Sequence, residues 1–188
     1  MPRISKPDTH TGDDGTTATA NGTRVAKDSR QIRTFGAIDE LNSVIGVVLS
    51  QQGLSTELID PLLSVQNDLF HLGAEMNYLK NQKDMASYPC IEERHINHLE
   101  EIIAKLYDKM GPLQNFALPG GNSSAANLHL ARSVCRRAEC DAVALSSTAN
   151  VRAQALRYLN RLSDVLFLMA RSENQSSGTD EILWDSHR

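Results

Sequence analysis

From Phe35 onward, apolar residues recur every three and four positions, the spacing that puts one buried stripe on an α-helix. Ile38, Leu41, Ile45 and Val48 mark a first helix ending near Gly53. Leu58, Leu62, Val65, Leu69, Leu72, Met76 and Leu79 mark a long second one, in which Pro61 is tolerable if it sits in the first turn, where its missing donor has no partner anyway. A polar break over 81–90 ends in Tyr88-Pro89. Ile96, Leu99, Ile103, Leu106 and Met110 then give a third helix, stopped by Gly111-Pro112. A short link leads to Gly120 and Gly121, followed by Asn122 or Ser123 as N-cap. Leu128, Ala131, Cys135, Ala138, Ala142 and Leu145 form the fourth stripe. After a turn at 148–150, Ala155, Leu159, Leu162, Leu166 and Met169 form the fifth. Stripes of this kind with short connections predict an all-α fold, a five-helix, left-handed, mostly antiparallel bundle without internal repeat or convincing strand.

Residues 1–34 break the pattern. They are polar, with Gly12, Gly15 and Gly22 among Thr, Asp and Asn, and a loop of that length is usually either disordered or functional. The chain therefore reads as one domain, 1–188, with an N-terminal loop segment (1–34), a bundle (35–173) and a tail (174–188). A length of 188 residues, 40% apolar and 22% charged, suits a single soluble core. The formal charge of −4 excludes a general nucleic-acid surface, so an anion site must be a local concentration of Lys and Arg. No apolar run approaches the roughly 20 residues that span a bilayer, and the polar N-terminus lacks the apolar core of a secretory signal. The expected location is the cytoplasm, with no membrane partner. Three cysteines, an odd number without metal-ligand spacing, read as free thiols in a reducing compartment.

Candidate chemistry concentrates on the fourth helix. Arg132, Arg136 and Glu139 lie along the edge of its buried stripe and Arg137 follows directly. Guanidinium groups beside a core seam need carboxylates or an anion to offset their desolvation. In the N-terminal segment, Thr9-His10-Thr11-Gly12-Asp13-Asp14-Gly15-Thr16-Thr17 followed by Lys27 has the makings of a phosphate cradle, with backbone N–H groups and hydroxyls converging and an ammonium nearby. GxxxxGK[ST] is absent, so it is not a Walker A loop, and a flexible polar tail is the other reading. On the fifth helix Asn160 abuts the Leu159 and Leu162 seam, where an amide either bonds a neighbour or reads a ligand. Arg161 and Asp164 form an i,i+3 pair. Two other classes are weighed. Glu92-x-x-His95 fits the Glu-x-x-His element of di-iron bundles and Asp68-x-x-His71 resembles it; four-residue patterns recur by chance, and capping or surface roles suit these histidines better. A non-catalytic helical interaction module would account for the bundle but not for the cations.

Six ordered blocks, TGDDGTT (11–17), VAKD around Lys27, FGAIDELNSVIG (35–46), FALPGG (116–121), ARSVCRRAE (131–139) and YLNRLSD (158–164), make the chain similar to the trimeric helix-bundle ATP:cob(I)alamin adenosyltransferases, the corrinoid adenosyltransferases of propanediol-utilisation type. The resemblance spans nearly the whole length. It implies transfer of the 5′-deoxyadenosyl group of ATP to the cobalt of a reduced corrinoid, cob(I)alamin, with release of triphosphate. By matching motif, Thr9, His10, Thr11, Gly12, Thr17, Ala18 and Lys27 would surround ATP with Mg²⁺, and Arg136, Arg137, Glu139 and Asn160 would complete the site. The resemblance further implies a homotrimer with sites between subunits, an Asp39–Arg132 pair across that interface, and Phe116 closing the lower face of the corrin. Arg136, Asp39 and Arg132 are the residues on which activity should depend, and a reductase must supply Co(I). The chain departs from the family pattern at His10, where Lys or Arg is common, at 18–21, which replace a more glycine-rich stretch, and at Cys140, where Arg is frequent. Its tail ends soon after Trp184, with no second aromatic placed over the corrin.

Overall fold

The apolar stripes fold as five α-helices that bury them against one another. The computed structural model describes residues 11–79, 88–113 and 115–187. Its helices are α1 (Arg30–Leu49), α2 (Thr56–Tyr78), α3 (Glu93–Met110), α4 (Ser123–Ser146) and α5 (Ala153–Ser176). α4 is central: it packs on α1 and α5, while α1 also holds α2 and α5 holds α3. Close approach at α4 follows from small side chains, since Ala131, Cys135, Ala138 and Ala142 are fully buried. The Cys135 thiol donates to the Leu159 carbonyl at 3.3 Å, and burial raises its pKa so that the donor proton stays on sulfur.

Side-chain caps open three of the five helices. The Ser29 hydroxyl accepts from the Ile32 N–H at 3.4 Å and Asn122 Oδ1 from the Ala125 N–H at 2.8 Å. α3 is opened by a reciprocal cap between Glu92 and His95 and closed by Gly111 at φ 69°.

Two expectations are corrected. α2 starts at Thr56, so Pro61 stands in its second turn and removes an internal hydrogen bond. Such a proline costs about 3 kcal/mol. Leu58, Leu62 and Val65 around it are buried, each contributing about 1.5–3 kcal/mol, and the helix runs on. Within 1–34, where no strand was expected, β1 (Thr16–Ala18) and β2 (Arg24–Ala26) form an antiparallel hairpin with Thr17 opposite Val25, and α1 begins at Arg30 rather than near Phe35. The hairpin docks on the C-terminal end of α2. There Asn77 Oδ1 accepts from the Ala20 N–H at 2.9 Å, and Asn21 Nδ2 donates to the Tyr78 carbonyl at 3.2 Å.

The Gly120-Gly121 corner is built by α5. Asn174 Oδ1 accepts from the Asn122 N–H at 3.1 Å and Nδ2 donates to the Gly120 carbonyl at 3.2 Å, while Glu173 accepts from the Ser55 N–H and from Asn122 Nδ2. Gly121 has φ 106°, and a Cβ there would fall 1.9 Å from Asn174 Oδ1. Its absent side chain therefore serves this corner. Gly121→Ala is expected to cost about 2 kcal/mol or more through left-handed strain and displacement of Asn174, read as a lowered denaturant midpoint. An unchanged midpoint would show that the corner relaxes freely.

Candidate active site

The N-terminal segment is a folded loop held by its own polar groups. The Gly15 N–H donates to the Gly12 carbonyl at 3.2 Å and the Lys27 N–H to the Gly15 carbonyl at 2.9 Å, with Gly15 at φ 80° as that turn requires. Asp14 Oδ1 accepts from the Thr16 N–H at 2.9 Å and from its hydroxyl at 2.7 Å, and Arg24 lies against the same oxygen at 3.1 Å. These bonds hold the Asp14 carboxyl below its ordinary value. The Lys27 side chain crosses over Gly12: a Cβ at that glycine would stand 3.0 Å from the ammonium. Thr11, Gly12 and Lys27 are thus brought together, and Thr17 and Ala18 follow on β1. Thr9 and His10 lie outside the described residues.

On α4 the three arginines have three fates. Arg137 pairs with Glu40 of α1. Arg132 is half-buried with its guanidinium carbon 5.3 Å from the centre of the Phe167 ring, a cation–π contact, but its buried Nε has no hydrogen-bond acceptor. Arg136 is exposed and makes no hydrogen bond or ion pair among the described residues. Beside them, Asn160 Nδ2 donates to Glu139 Oε1 at 3.1 Å, fixing the amide. Asp39, on α1, lines an open groove with Asn42, Gly46, Gln66 and Phe70, has no basic partner among the described residues, and is held above the ordinary carboxyl value by burial.

One chain does not bring the loop and the arginines together. Arg30, at the start of α1, donates at 2.9 Å to both the Ala144 carbonyl and Ser147 Oγ, near the end of α4, whereas Glu40 meets Arg137. α1 and α4 therefore run antiparallel. The ten residues from Arg30 to Glu40 put Arg137 about 15 Å from the end where the hairpin docks.

The chain's C-terminal segment makes a second, apolar element. Ile182 and Trp184 run beside Phe116 and Leu118: the Leu118 N–H donates to the Ile182 carbonyl and the Trp184 N–H to the Phe116 carbonyl, both at 2.7 Å. Arg171, on α5, anchors this strap through Glu181 at 3.0 Å. The Phe116 and Trp184 rings meet edge to face at 6.2 Å and are 73% and 50% exposed, an aromatic surface left open among the described residues.

A conserved-family model described as cobalamin adenosyltransferase matches residues 8–173. The chain belongs to the cobalamin adenosyltransferase family. It is 39% identical over 186 residues to a cobalamin adenosyltransferase of Cupriavidus metallidurans, covering 99% of this chain and 97% of that one. It is 42% identical to a corrinoid adenosyltransferase of Citrobacter freundii over 88% and 93% of the two chains. Among solved structures, a variant of the PduO-type ATP:corrinoid adenosyltransferase of Lactobacillus reuteri, complexed with cobalamin and ATP, superposes with a TM-score of 0.89 at 29% identity, covering 96% and 97% of the chains.

Membership of the cobalamin adenosyltransferase family overturns the two other classes. The di-iron set does not assemble in full: Asp68, His71 and His95 converge, but the Glu92 carboxylate caps α3 and pairs with Arg94 at 2.9 Å. His95 takes the capping role expected of it, but it is buried and not near the surface. Sequence reasoning missed Glu40, Phe167 and Trp184. Glu40 was findable, since it follows Asp39 on an exposed face; the other two sit in segments where no periodic signal points at an arginine or at Phe116.

Proposed function

We propose that this chain transfers the 5′-deoxyadenosyl group of ATP to the cobalt of a reduced corrinoid. The observation that carries the reading is the agreement over nearly the full chain with a relative solved with both cobalamin and ATP. Cob(I)alamin is the nucleophile: its cobalt electron pair forms the Co–C5′ bond, the C5′–O bond breaks, and its electrons leave on triphosphate. Cobalt ends as Co(III), and no general base is needed. Charge grows on the leaving oxygens, so fixed donors there lower the barrier. Lys27 and Arg136 supply full positive charge, and Thr9, His10, Thr11, Gly12, Thr17 and Ala18 surround the nucleotide. Mg²⁺ enters as part of the substrate, Mg-ATP; Asp14 of the loop is already engaged by Thr16 and Arg24. Glu139 orients Asn160 toward the nucleotide, and Arg137 reaches it by exchanging Glu40 for phosphate.

The site lies between subunits of a homotrimer. Two observations support this: the loop stands about 15 Å along the bundle from the level of Arg136, and the buried Nε of Arg132 has no acceptor while Asp39 has no basic partner among the described residues. Phe116, backed by Trp184, covers the lower face of the corrin, excluding water and the lower axial ligand so that Co(II) is easier to reduce. A reductase supplies Co(I). The enzyme works in the cytoplasm, consistent with three free cysteines and with the reducing chemistry it needs; no described helix is long and apolar enough to cross a membrane.

The test is cob(I)alamin with Mg-ATP under strong reductant. The Co–C absorption spectrum and stoichiometric triphosphate are expected, and absence of both sinks the reading. Phe116→Ala is expected to lower turnover about tenfold or more, if the ring supplies ~1.5 kcal/mol or more of water exclusion and packing. Electron paramagnetic resonance of the bound Co(II) corrinoid should show the lower ligand returning. A four-coordinate signal in the variant would remove Phe116 from that role.

A further inference from the structure

The seam between α2 and α3 holds three donors that the reaction does not use. Asp68 and His71 lie one turn apart on α2, and His95 stands in the first turn of α3. One carboxylate oxygen of Asp68 and one nitrogen of each histidine lie within 4.8 Å of one another. The side chains of Asp68 and His95 are only 8% and 7% exposed. Both are aimed by groups outside the trio. The Tyr158 hydroxyl donates to Asp68 Oδ2 at 3.0 Å, and the Glu92 N–H donates to His95 Nδ1 at 2.8 Å. What remains is Asp68 Oδ1 facing His95 Nε2 at 3.8 Å, too far for a hydrogen bond. His71 Nδ1 is buried with no partner, and its ring meets that of His95 edge-on at 5.4 Å. Buried imidazole nitrogens are normally satisfied, and an ion is one reason for an orphan.

We propose that Asp68, His71 and His95 bind one divalent transition-metal ion of the zinc class. Two imidazoles and a carboxylate are donors taken by Zn²⁺, Co²⁺ and Ni²⁺, whereas Mg²⁺ and Ca²⁺ prefer all-oxygen sets. Metal–ligand bonds of about 2.0–2.2 Å bring neighbouring donors to about 3.3 Å in a tetrahedral site, so the trio closes by side-chain rotation and water fills the fourth position. Tyr158 is then the outer group that orients the carboxylate. An imidazole ligates through an unprotonated nitrogen. Because His95 Nδ1 accepts from the Glu92 N–H, its proton sits on Nε2, and ion uptake must move it to Nδ1 or to solvent. Binding therefore loosens the first turn of α3 or releases a proton. The ion ties α2 to α3, which otherwise packs chiefly on α5.

The full chain, without affinity histidines and stripped with EDTA, is titrated with Co²⁺ and with Zn²⁺ in the absence of ATP and corrinoid. One ion per chain, the visible absorption of a low-coordinate Co²⁺ site, a melting temperature that climbs with Zn²⁺, and either faster exchange of the Glu92 amide or release of a proton are expected. His71→Ala, at a half-buried position that spares the core, should weaken binding about tenfold or more, and His71→Gln should do the same while refilling the space. No saturable binding, or equal affinity in both variants, overturns the site; the latter would put the ion on exposed residues such as His98. Adenosyl transfer by stripped protein should be unchanged, so failure of this titration and failure of the transferase assay are separate results.

Discussion

Arg136→Ala is expected to reduce kcat for adenosyl transfer by about 10²–10³-fold, the loss seen when one preorganised donor is removed from a developing negative charge. The fold should not notice. Arg136 is exposed and forms no hydrogen bond or ion pair among the described residues, so its truncation should shift stability by no more than about 0.5 kcal/mol. An arginine left without a partner beside a packed seam is free to meet the triphosphate that the proposed reaction releases. Its neighbour gives the contrast: Arg137→Ala breaks an exposed pair with Glu40, which contributes up to about 1 kcal/mol, and should affect KM for ATP more than kcat. Single-turnover rates with circular dichroism as a fold check separate the two. Turnover near wild type in Arg136→Ala would take the triphosphate away from this residue.

The helices were legible because their signal is local. Each stripe repeats within a few residues, and most of its positions, from Ile38 to Met169, are ones the bundle buries; on α3 the buried residue is Ile102, with Ile103 at the edge. The hairpin was not legible: three residues per strand are too few to show alternation, and what holds it is side-chain bonding to Asn77 and Tyr78, far along the chain. Pro61 misled because core burial can outweigh one lost hydrogen bond. His71 and His95 carried capping or surface readings from their own helices, and only the side-chain contact of His95 with Asp68 and His71 across from α3 to α2 brings them together. The site divides in the same way. Ordered motifs marked Lys27, Arg136, Glu139 and Asn160, but no motif could tell that Arg137 meets Glu40, 97 residues away, or that Trp184 returns to Phe116.

Asp39→Ala should dissociate the assembly and take activity with it. If Asp39 meets Arg132 of the partner subunit, removing the acid leaves a guanidinium at the interface with a buried Nε and no acceptor, a loss of about 3–5 kcal/mol per interface for a desolvated pair. At 1.4 kcal/mol per decade, that is about 10²-fold to 4 × 10³-fold weaker association at each contact. Phe167 would still cover one face of Arg132, so loss of the carboxylate, not of packing, is what the variant reports. The sign of the pH dependence follows from Asp39. In the isolated chain its carboxyl is raised by burial, and pairing with a guanidinium lowers it, so assembly prefers the ionised form. The pair's contribution is complete above the raised value of the free chain. It fades as pH falls through the carboxylate range toward the lower value of the assembled state. Sedimentation of wild type and Asp39→Ala across that range should show pH-dependent trimers for the first and pH-independent weak association for the second. Exchanging the charges, Asp39→Arg with Arg132→Asp, should restore trimers where either change alone does not. Trimers of unaltered stability in Asp39→Ala would mean that Arg132 finds its acceptor elsewhere.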